Sequence, residues 1–240
     1  MVNGGDSGCR FLCHLPIRNI RHATIHLFPI LTNIKIMLIG ITGGIGSGKS
    51  TIGTELRRLG FPVFDTDTAA KHLIVHNADI RTSIEQLFGE DVYDGDVYLT
   101  NKVAEQVFNN HSLLLQLNAI VHPAVFHEVE LWYQHASFSS DVPREYHFVE
   151  SAILYESGLD ELCAEVVEIT APEEVRIARV IARDNTDNDK VRARIHAQTR
   201  PHTISGCHLP IITLLNDGNT PIPDLVQQLL RQLSYKTNRQ

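Results

Sequence analysis

The sequence predicts an α/β fold in which helices pack on both faces of a parallel sheet. The apolar run Met37–Thr42 stops at glycines, and from Lys49 it is followed by helix formers with apolar residues at helical spacing. This is the order of strand, loop and helix. In the second half of the chain, apolar runs of strand length alternate with charged segments of helical period. Such alternation is typical of a three-layer parallel sheet.

The expected strands and helices follow in regular order until a long helical block interrupts them. We expect strands at 37–42, 62–64, 146–149, 166–170 and 209–215, and helices at 49–59, 68–75, 173–182, 187–198 and 224–233. Between the second and third of these strands, residues 79–135 have a helical pattern, with a strand period only near 92–99. We therefore predict a helical insertion at about 68–140, suitably placed to hold a substrate.

Composition excludes several classes of protein. The 240 residues are 43% hydrophobic and 20% charged, with a formal net charge of -7. The longest apolar runs are too short to cross a bilayer, and an acidic chain offers no basic face for a phosphate backbone. We therefore expect no membrane and no nucleic-acid partner. The four cysteines form no CxxC pair, which is typical of unpaired thiols in a reducing cytoplasm.

The first 36 residues differ from the rest in charge. Four basic residues and one acidic residue give a local charge of +3 (4 minus 1), which leaves -10 (-7 minus 3) for residues 37–240. Arg-rich, acid-poor segments occur in targeting peptides, but Pro16 and Pro29 interrupt any long amphipathic helix. We favour a start site assigned too far upstream, because Met37 opens the first convincing strand. Residues 1–36 are thus expected to be a disordered or mis-assigned extension of a domain at 37–240.

The most specific motif is a phosphate-binding loop. The string G-G-I-G-S-G-K-S at 43–50 fits the P-loop pattern G-x-x-x-x-G-K-[ST] between a strand and a helix. Glycines permit the backbone angles that turn N–H groups toward a phosphate at the positive end of the helix. Lys49 is expected to span the β and γ phosphates, and Ser50 to hold Mg²⁺. The predicted ATP-binding residues of the loop are Gly44, Ile45, Gly46, Ser47, Gly48, Lys49, Ser50 and Thr51.

The P-loop identifies the nucleotide site but not the reaction, because kinases, GTPases and motor ATPases share it. A GTPase should carry N-K-x-D, and the nearest string, at 101–104, lacks the Asp that reads guanine. A motor ATPase should end an apolar strand in a metal-binding Asp, and Phe148-Val149-Glu150 is only a rough counterpart. His72 and His76 are four residues apart on a predicted helix but have no evident third metal ligand. A small-molecule kinase fits best.

Several further motifs occur in an order and spacing that resemble one family. Beyond the P-loop they are D-x-D at 65–67, L-N-x-x-x-H-P at 117–123, A-I-L-Y-E at 152–156, R-x-x-x-R-D at 179–184, R-I-x-x-Q at 194–198 and N-D-G at 216–218. From about residue 37 to 233 the chain resembles the dephospho-CoA kinases, which catalyse the last step of coenzyme A synthesis. Only the P-loop is specific by itself, so the resemblance depends on the order of all the motifs.

The resemblance implies a nucleotide-binding core, a helical acceptor domain and a lid at about 173–200. It makes Asp67 the general base, while Asp65 orients its neighbour or the metal-bound water. From the residues alone, both acids could instead cap the helix that follows. Arg183 matches the lid arginine that reaches the ATP phosphates, and Arg179 could equally be a solvated charge on the same helix.

Two departures from the family pattern concern the acceptor substrate. Thr100 stands where the family usually has an arginine that grips the acceptor, and Lys102 is a possible replacement. Glu150 stands where a D-x-P-L-L-F-E string usually begins, and the Pro of that string is absent here. His122, in the H-P string, is expected to lie at a helix end of the acceptor domain and to bind the acceptor.

We therefore expect ATP, with Mg²⁺ as cofactor, to phosphorylate the 3′-hydroxyl of dephospho-CoA, with Asp67, Lys49 and Arg183 as catalytic residues. A monomer or small homo-oligomer is expected. The first rival is a kinase for another small alcohol or a nucleoside monophosphate, which would share the loop and lid but not the helical insertion. The second is a nucleotide-gated binding module, which would bind ATP tightly without turnover.

Overall fold

A computed structural model describes residues 36–108, 110–139, 145–198 and 209–237. The predicted extension, except for Ile36, lies outside the described residues. Residues 36–240 form one compact unit. Within the described ranges, no helix has the length and apolar character needed to cross a membrane.

The described elements alternate between strands and helices on either side of a helical block. In chain order they are β1 Met37–Thr42, α1 Lys49–Arg58, β2 Val63–Asp65, α2 Thr66–His76, α3 Ala78–Phe88, β3 Tyr93–Asp94, β4 Val97–Tyr98, α4 Thr100–Phe108, α5 His111–Ser139, β5 Tyr146–Glu150, β6 Glu165–Thr170, α6 Glu173–Asp184, α7 Asn188–Ala197, β7 Ile211–Leu215 and α8 Ile222–Thr237. Two short 3-10 helices, Glu90–Val92 and Leu159–Leu162, connect them. The prediction of an α/β fold is confirmed.

The main sheet has five parallel strands in the order β2-β5-β1-β6-β7, and β3 and β4 form a separate antiparallel hairpin. β5 lies between β1 and β2, with Ile41 opposite Glu150 and Glu150 opposite Asp65. Because these strands are parallel, their carboxyl ends meet at one edge. The segments that follow β1, β2 and β5 therefore lie side by side there.

Alternation along the buried strands divides the core between the two faces of the sheet. Ile39, Ile41 and Phe148 belong to the cluster that packs against α1 and α8. Leu38 and Val149 belong to the cluster that packs against the helical block. The last helix contributes Leu225, Leu229 and Leu233 to the cluster that packs with α1. Both faces of the sheet are thus covered.

The helical block consists of α2 to α5 with the β3–β4 hairpin, and it falls within the segment predicted as an insertion. One expectation about it is wrong. His122 was expected to lie at a helix end, but His122 and the Pro123 that follows it lie inside the long helix α5. A proline in a helix interior loses one backbone hydrogen bond, yet Val121, Val125 and Val129 are all buried in the core on either side of it. Tertiary packing therefore continues the helix through the proline.

Candidate active site

The phosphate-binding loop joins β1 to α1 at the carboxyl edge of the sheet. Gly46 and Gly48 have φ angles of 75° and 96°, in the left-handed region that favours glycine. A Cβ atom on Gly48 would also lie 2.2 Å from the side-chain nitrogen of Asn216. The backbone angle and the close approach of Asn216 both require glycine at this position.

Lys49 is the first residue of α1, and its side chain folds back over the loop. The ammonium group donates hydrogen bonds to the carbonyl oxygens of Gly43 at 2.8 Å and Gly44 at 3.5 Å. Burial lowers the pKa of Lys49, and the negative charges of Glu150 and Asp67 oppose that shift. The charge of Lys49 thus interacts with Glu150, which ends β5, and with Asp67, which follows β2.

The two acids of the D-x-D motif have different surroundings. Asp65 caps α2, because its carboxylate accepts hydrogen bonds from the backbone N–H of Asp67 at 3.0 Å and of Thr68 at 3.1 Å. Asp67 is the second residue of α2, and its side chain is accessible to solvent. Partial burial and the negative charge of Asp65 raise the pKa of Asp67, while Lys49 and Lys71 lower it. Asp65 therefore orients the start of the helix, and Asp67 presents its carboxylate to the cleft described next.

A cleft of about 200 Å³ opens beside Asp67, between α2, α5 and the segment that follows β5. Its lining residues are Thr66, Asp67, Ala70, Ile74, Leu117, Asn118, Val121, His122, Val125, Phe126, Ser151, Ile153, Ser157 and Leu159. Burial lowers the pKa of His122, so its imidazole is neutral at pH 7. Mostly apolar walls with a few polar groups are typical of a small-molecule site.

Glu150 ends β5 and is buried beneath α1. Its Oε2 atom has no hydrogen-bond partner among the described residues, and a Cβ on Gly53 would lie 2.8 Å from it. Burial and the charge of Asp65 raise the pKa of Glu150 to about 7, against the opposing charges of Lys49 and Arg57. Glu150 is the acid that the sequence offered only as a rough counterpart of the metal-binding Asp of motor ATPases.

Two arginines of α6 that were singled out from the sequence differ in their contacts. Arg179 donates hydrogen bonds to the carbonyl oxygen of Ser47 at 3.3 Å and to Asn216 at two oxygens, each at 3.1 Å. Its interpretation as a solvated charge is therefore wrong. The guanidinium of Arg183 donates to the carboxylate of Asp184 at 2.6 and 2.9 Å, and the side chain is 61% exposed. In this structure Arg183 is paired within its own helix.

Two other residues of the segment predicted as a lid contact the loop directly. The backbone N–H of Ile45 donates to the side-chain oxygen of Gln198 at 2.7 Å, and Arg176 donates from Nε to the carbonyl oxygen of Ile45 at 2.8 Å. The sequence motifs did not include Arg176, and Gln198 was noted only as the last residue of R-I-x-x-Q. A signal was present, because residues 176, 179 and 183 are arginines spaced three and four apart on one helical face.

Ser50, Thr51 and Lys102 are the remaining residues predicted to bind a substrate or Mg²⁺. Ser50 and Thr51 are exposed in the first turn of α1. Lys102, on α4, donates to the carboxylate of Asp91 at 3.0 Å and to its carbonyl at 2.8 Å. Lys102 is absent from the lining of the cleft, so its role in acceptor binding stays a prediction.

Comparison with known proteins identifies a family. A family model for dephospho-CoA kinases matches residues 37–219. A dephospho-CoA kinase of Porphyromonas gingivalis is 35% identical over 196 residues, which cover 82% of this chain and 92% of the relative. A dephospho-CoA kinase of Salinibacter ruber is 42% identical over 161 residues, which cover 67% of this chain and 79% of the relative.

Solved structures support the fold independently. A crystal structure from Thermus thermophilus superposes with a TM-score of 0.66 and 31% identity, covering 83% of this chain and 97% of the other. A dephospho-CoA kinase from Campylobacter jejuni superposes with a TM-score of 0.55 and 21% identity, covering 83% of this chain and 98% of the other. At 21% identity the second match supports the fold alone.

Proposed function

The chain belongs to the dephospho-CoA kinase family, and from this premise we propose that it transfers the γ-phosphoryl group of ATP to the 3′-hydroxyl of dephospho-CoA. The observation that carries the proposal is the position of Asp67. This acid lines the cleft and its charge acts on Lys49 of the phosphate loop. A carboxylate placed between a nucleotide site and a small-molecule cleft is suited to act on an acceptor hydroxyl.

The loop and Lys49 hold the donor nucleotide in this proposal. The N–H groups of the loop surround the phosphates at the positive end of α1, and the Lys49 ammonium neutralises charge on the transferring group. Arg183 would join it from the lid if its ion pair with Asp184 opened. Such positioning and charge stabilisation account for most of the catalysis in phosphoryl transfer.

Mg²⁺ fits the residues at this edge of the sheet. Ser50 offers a hydroxyl at the start of α1, and Glu150 offers a buried carboxylate oxygen that lacks a partner within the described chain. The described residues contain no group of three His, Cys, Asp or Glu side chains that would hold a metal by themselves. Mg²⁺ bound with ATP needs only one or two protein ligands, since phosphates and water supply the rest. When bound, the ion neutralises charge on the phosphates.

Asp67 orients the acceptor and takes up its proton. The 3′-oxygen forms a bond to the γ-phosphorus as the bond from that phosphorus to the β–γ bridging oxygen breaks, and the hydroxyl proton moves to the Asp67 carboxylate. The products are coenzyme A and ADP. The raised pKa of Asp67 makes its carboxylate a better proton acceptor than an ordinary aspartate.

The acceptor occupies the cleft between the core and the helical block, which we propose is the acceptor domain. The polar groups of Asn118, His122, Ser151 and Ser157 lie among its apolar walls, where they are suited to orient a nucleotide-like acceptor. Lys102 would contribute only after leaving Asp91. We also propose that the enzyme works in the cytoplasm as a monomer or small homo-oligomer, without a nucleic-acid or membrane partner.

Incubation of the protein with ATP, Mg²⁺ and dephospho-CoA, followed by mass analysis, tests this function. We expect coenzyme A and ADP in equal amounts, and no phosphorylated product from AMP, which represents the rival class of acceptors. Lys49→Ala should lower the rate by about 10²-fold or more because the transferring phosphoryl group loses its cation. Lys190→Ala, a matched surface variant on the lid, should stay near wild type. Product from AMP but none from dephospho-CoA would refute the proposal.

A further inference from the structure

Ile45, the only non-glycine residue among 43–46, is held by the lid through both of its backbone groups. Its N–H donates to Oε1 of Gln198 at 2.7 Å, and its carbonyl oxygen accepts from Nε of Arg176 at 2.8 Å. The two lid side chains also contact each other, since Nη2 of Arg176 donates to the same Gln198 oxygen at 3.3 Å. We call these three residues the Ile45 clamp.

The side chain of Ile45 adds an apolar contact to the clamp. It packs against the small core of the lid, which is formed by Ile177, Val180, Val191 and Ile195. These four residues come from both α6 and α7, so the loop contacts the two lid helices together. Burial of an isoleucine side chain contributes about 1.5 to 3 kcal/mol when it is complete, and Ile45 is half-buried.

The clamp also places a positive charge against the loop. A Cβ on Gly44 would lie 2.3 Å from Nη2 of Arg176, so the guanidinium covers that glycine. Arg176 is close enough to Lys49 that its charge contributes to the lowered pKa of the lysine. Arg183, the lid arginine expected at the phosphates, is paired with Asp184 instead.

From these contacts, and on the basis of the proposed function, we infer that Arg176 and Gln198 are positioning residues for ATP. By holding Ile45, they keep the phosphate loop and the lid in one arrangement, and the Arg176 guanidinium lies against the loop. Loss of either side chain frees a backbone group of Ile45 and lets the loop move away from the geometry that receives the phosphates. The effect should therefore fall on ATP and not on dephospho-CoA.

The experiment measures ATP binding by calorimetry, without acceptor, in the full chain and its variants. Arg176→Gln should weaken ATP binding by about tenfold, because a charge-assisted hydrogen bond and a cation beside the phosphates are both lost. Gln198→Ala should weaken it by about threefold, because the neutral hydrogen bond from the Ile45 N–H is lost together with the longer 3.3 Å contact from Arg176. Arg192→Gln is the matched control, since Arg192 lies on the same lid but binds Glu173 and Glu174.

A double-mutant cycle then separates the clamp from a general loss of lid stability. Arg176 and Gln198 act on the same residue. The loss of ATP affinity in the double variant should therefore be much smaller than the product of the two single losses. In steady-state assays, the KM for ATP should rise while the KM for dephospho-CoA changes by less than about twofold. Arg176→Lys keeps the charge but loses the paired geometry, so it should recover only part of the affinity.

Three results would overturn the inference. Arg176→Gln could bind ATP as tightly as Arg192→Gln does, or the two single losses of ATP affinity could multiply in the double variant. The third is a change in KM that affects dephospho-CoA alone. If Arg176→Gln lowers the melting temperature sharply, the comparison of Gln198→Ala with Arg192→Gln provides the same test. Because binding is measured without acceptor, failure of wild type to make coenzyme A would refute the proposed function and leave the test of the clamp intact.

Discussion

His147 provides a test of how burial of an ionisable group limits the stability of this fold at acid pH. The imidazole is fully buried on β5, and neither ring nitrogen has a hydrogen-bond partner among the described residues. Its ring centroid lies 5.8 Å from that of Trp132 and 5.5 Å from that of Tyr133. Burial lowers the pKa of His147 to about 4, because a charged imidazolium would lose its hydration among these rings.

The sign and size of the effect follow from proton linkage. Below a pH near 6.5 the unfolded chain takes up a proton at His147 that the folded chain does not, so stability falls as the pH falls toward about 4. With these two pKa values, linkage gives a loss of about 2 kcal/mol between about pH 8 and about pH 5. Glu150 acts in the opposite direction, because its raised pKa gives stability at low pH that is lost as the pH rises through about 7.

The perturbation is therefore His147→Phe, compared with wild type at each pH so that the contribution of Glu150 cancels. Phenylalanine keeps an aromatic ring of similar size between Trp132 and Tyr133 but does not titrate. We expect the unfolding free energy of the variant, minus that of wild type, to rise by about 2 kcal/mol from pH 8 to pH 5. Urea unfolding followed by circular dichroism at several pH values measures this difference.

A difference between the two proteins that stays constant from pH 8 to pH 5 would refute the reasoning, even if the variant were less stable at both. A constant offset would report only packing of the new ring. A difference that falls toward pH 5 would mean that folded His147 binds its proton more tightly than the unfolded chain does.

Two further predictions concern the site. Asp67→Asn removes the proton acceptor but keeps the size of the side chain, so kcat should fall by about 10²- to 10⁴-fold with ATP affinity nearly unchanged. Asp65→Asn should lower kcat less, because asparagine also caps helices well. Measuring kcat and ATP binding for both variants decides between them, and an active Asp67→Asn beside an inactive Asp65→Asn would reverse the assignment. Gly48→Ala should abolish ATP binding measured by calorimetry. Gly48 has a φ of 96°, and a Cβ atom there would lie 2.2 Å from the side-chain nitrogen of Asn216, so a methyl group has no room. Normal ATP binding by the variant would show that the loop adapts.

Local features of this site were predictable because short motifs carry their own physical requirements. The glycines of the loop, the lysine that follows them and the strand before them are neighbours in the chain, so their spacing alone predicted the loop geometry. The acids of the D-x-D motif were also identified by their position directly after the strand predicted at 62–64. Their division into Asp65 as a cap and Asp67 as the acid facing the cleft required the structure, because either residue could have capped α2.

The sequence by itself therefore determined the succession of strands and helices along the chain, the phosphate loop and the candidate acids. Each of these depends on residues that are close together in sequence. Only the tertiary structure decided which distant residues meet them. Pro123 continues a helix because buried valines on both sides pack into the core, and Gln198 reaches Ile45 across 153 residues of chain. Arg183 turns to Asp184 while Arg176 covers the loop. The contacts of long side chains depend on packing and charge in the folded protein. The spacing of neighbouring residues in the sequence does not specify those contacts.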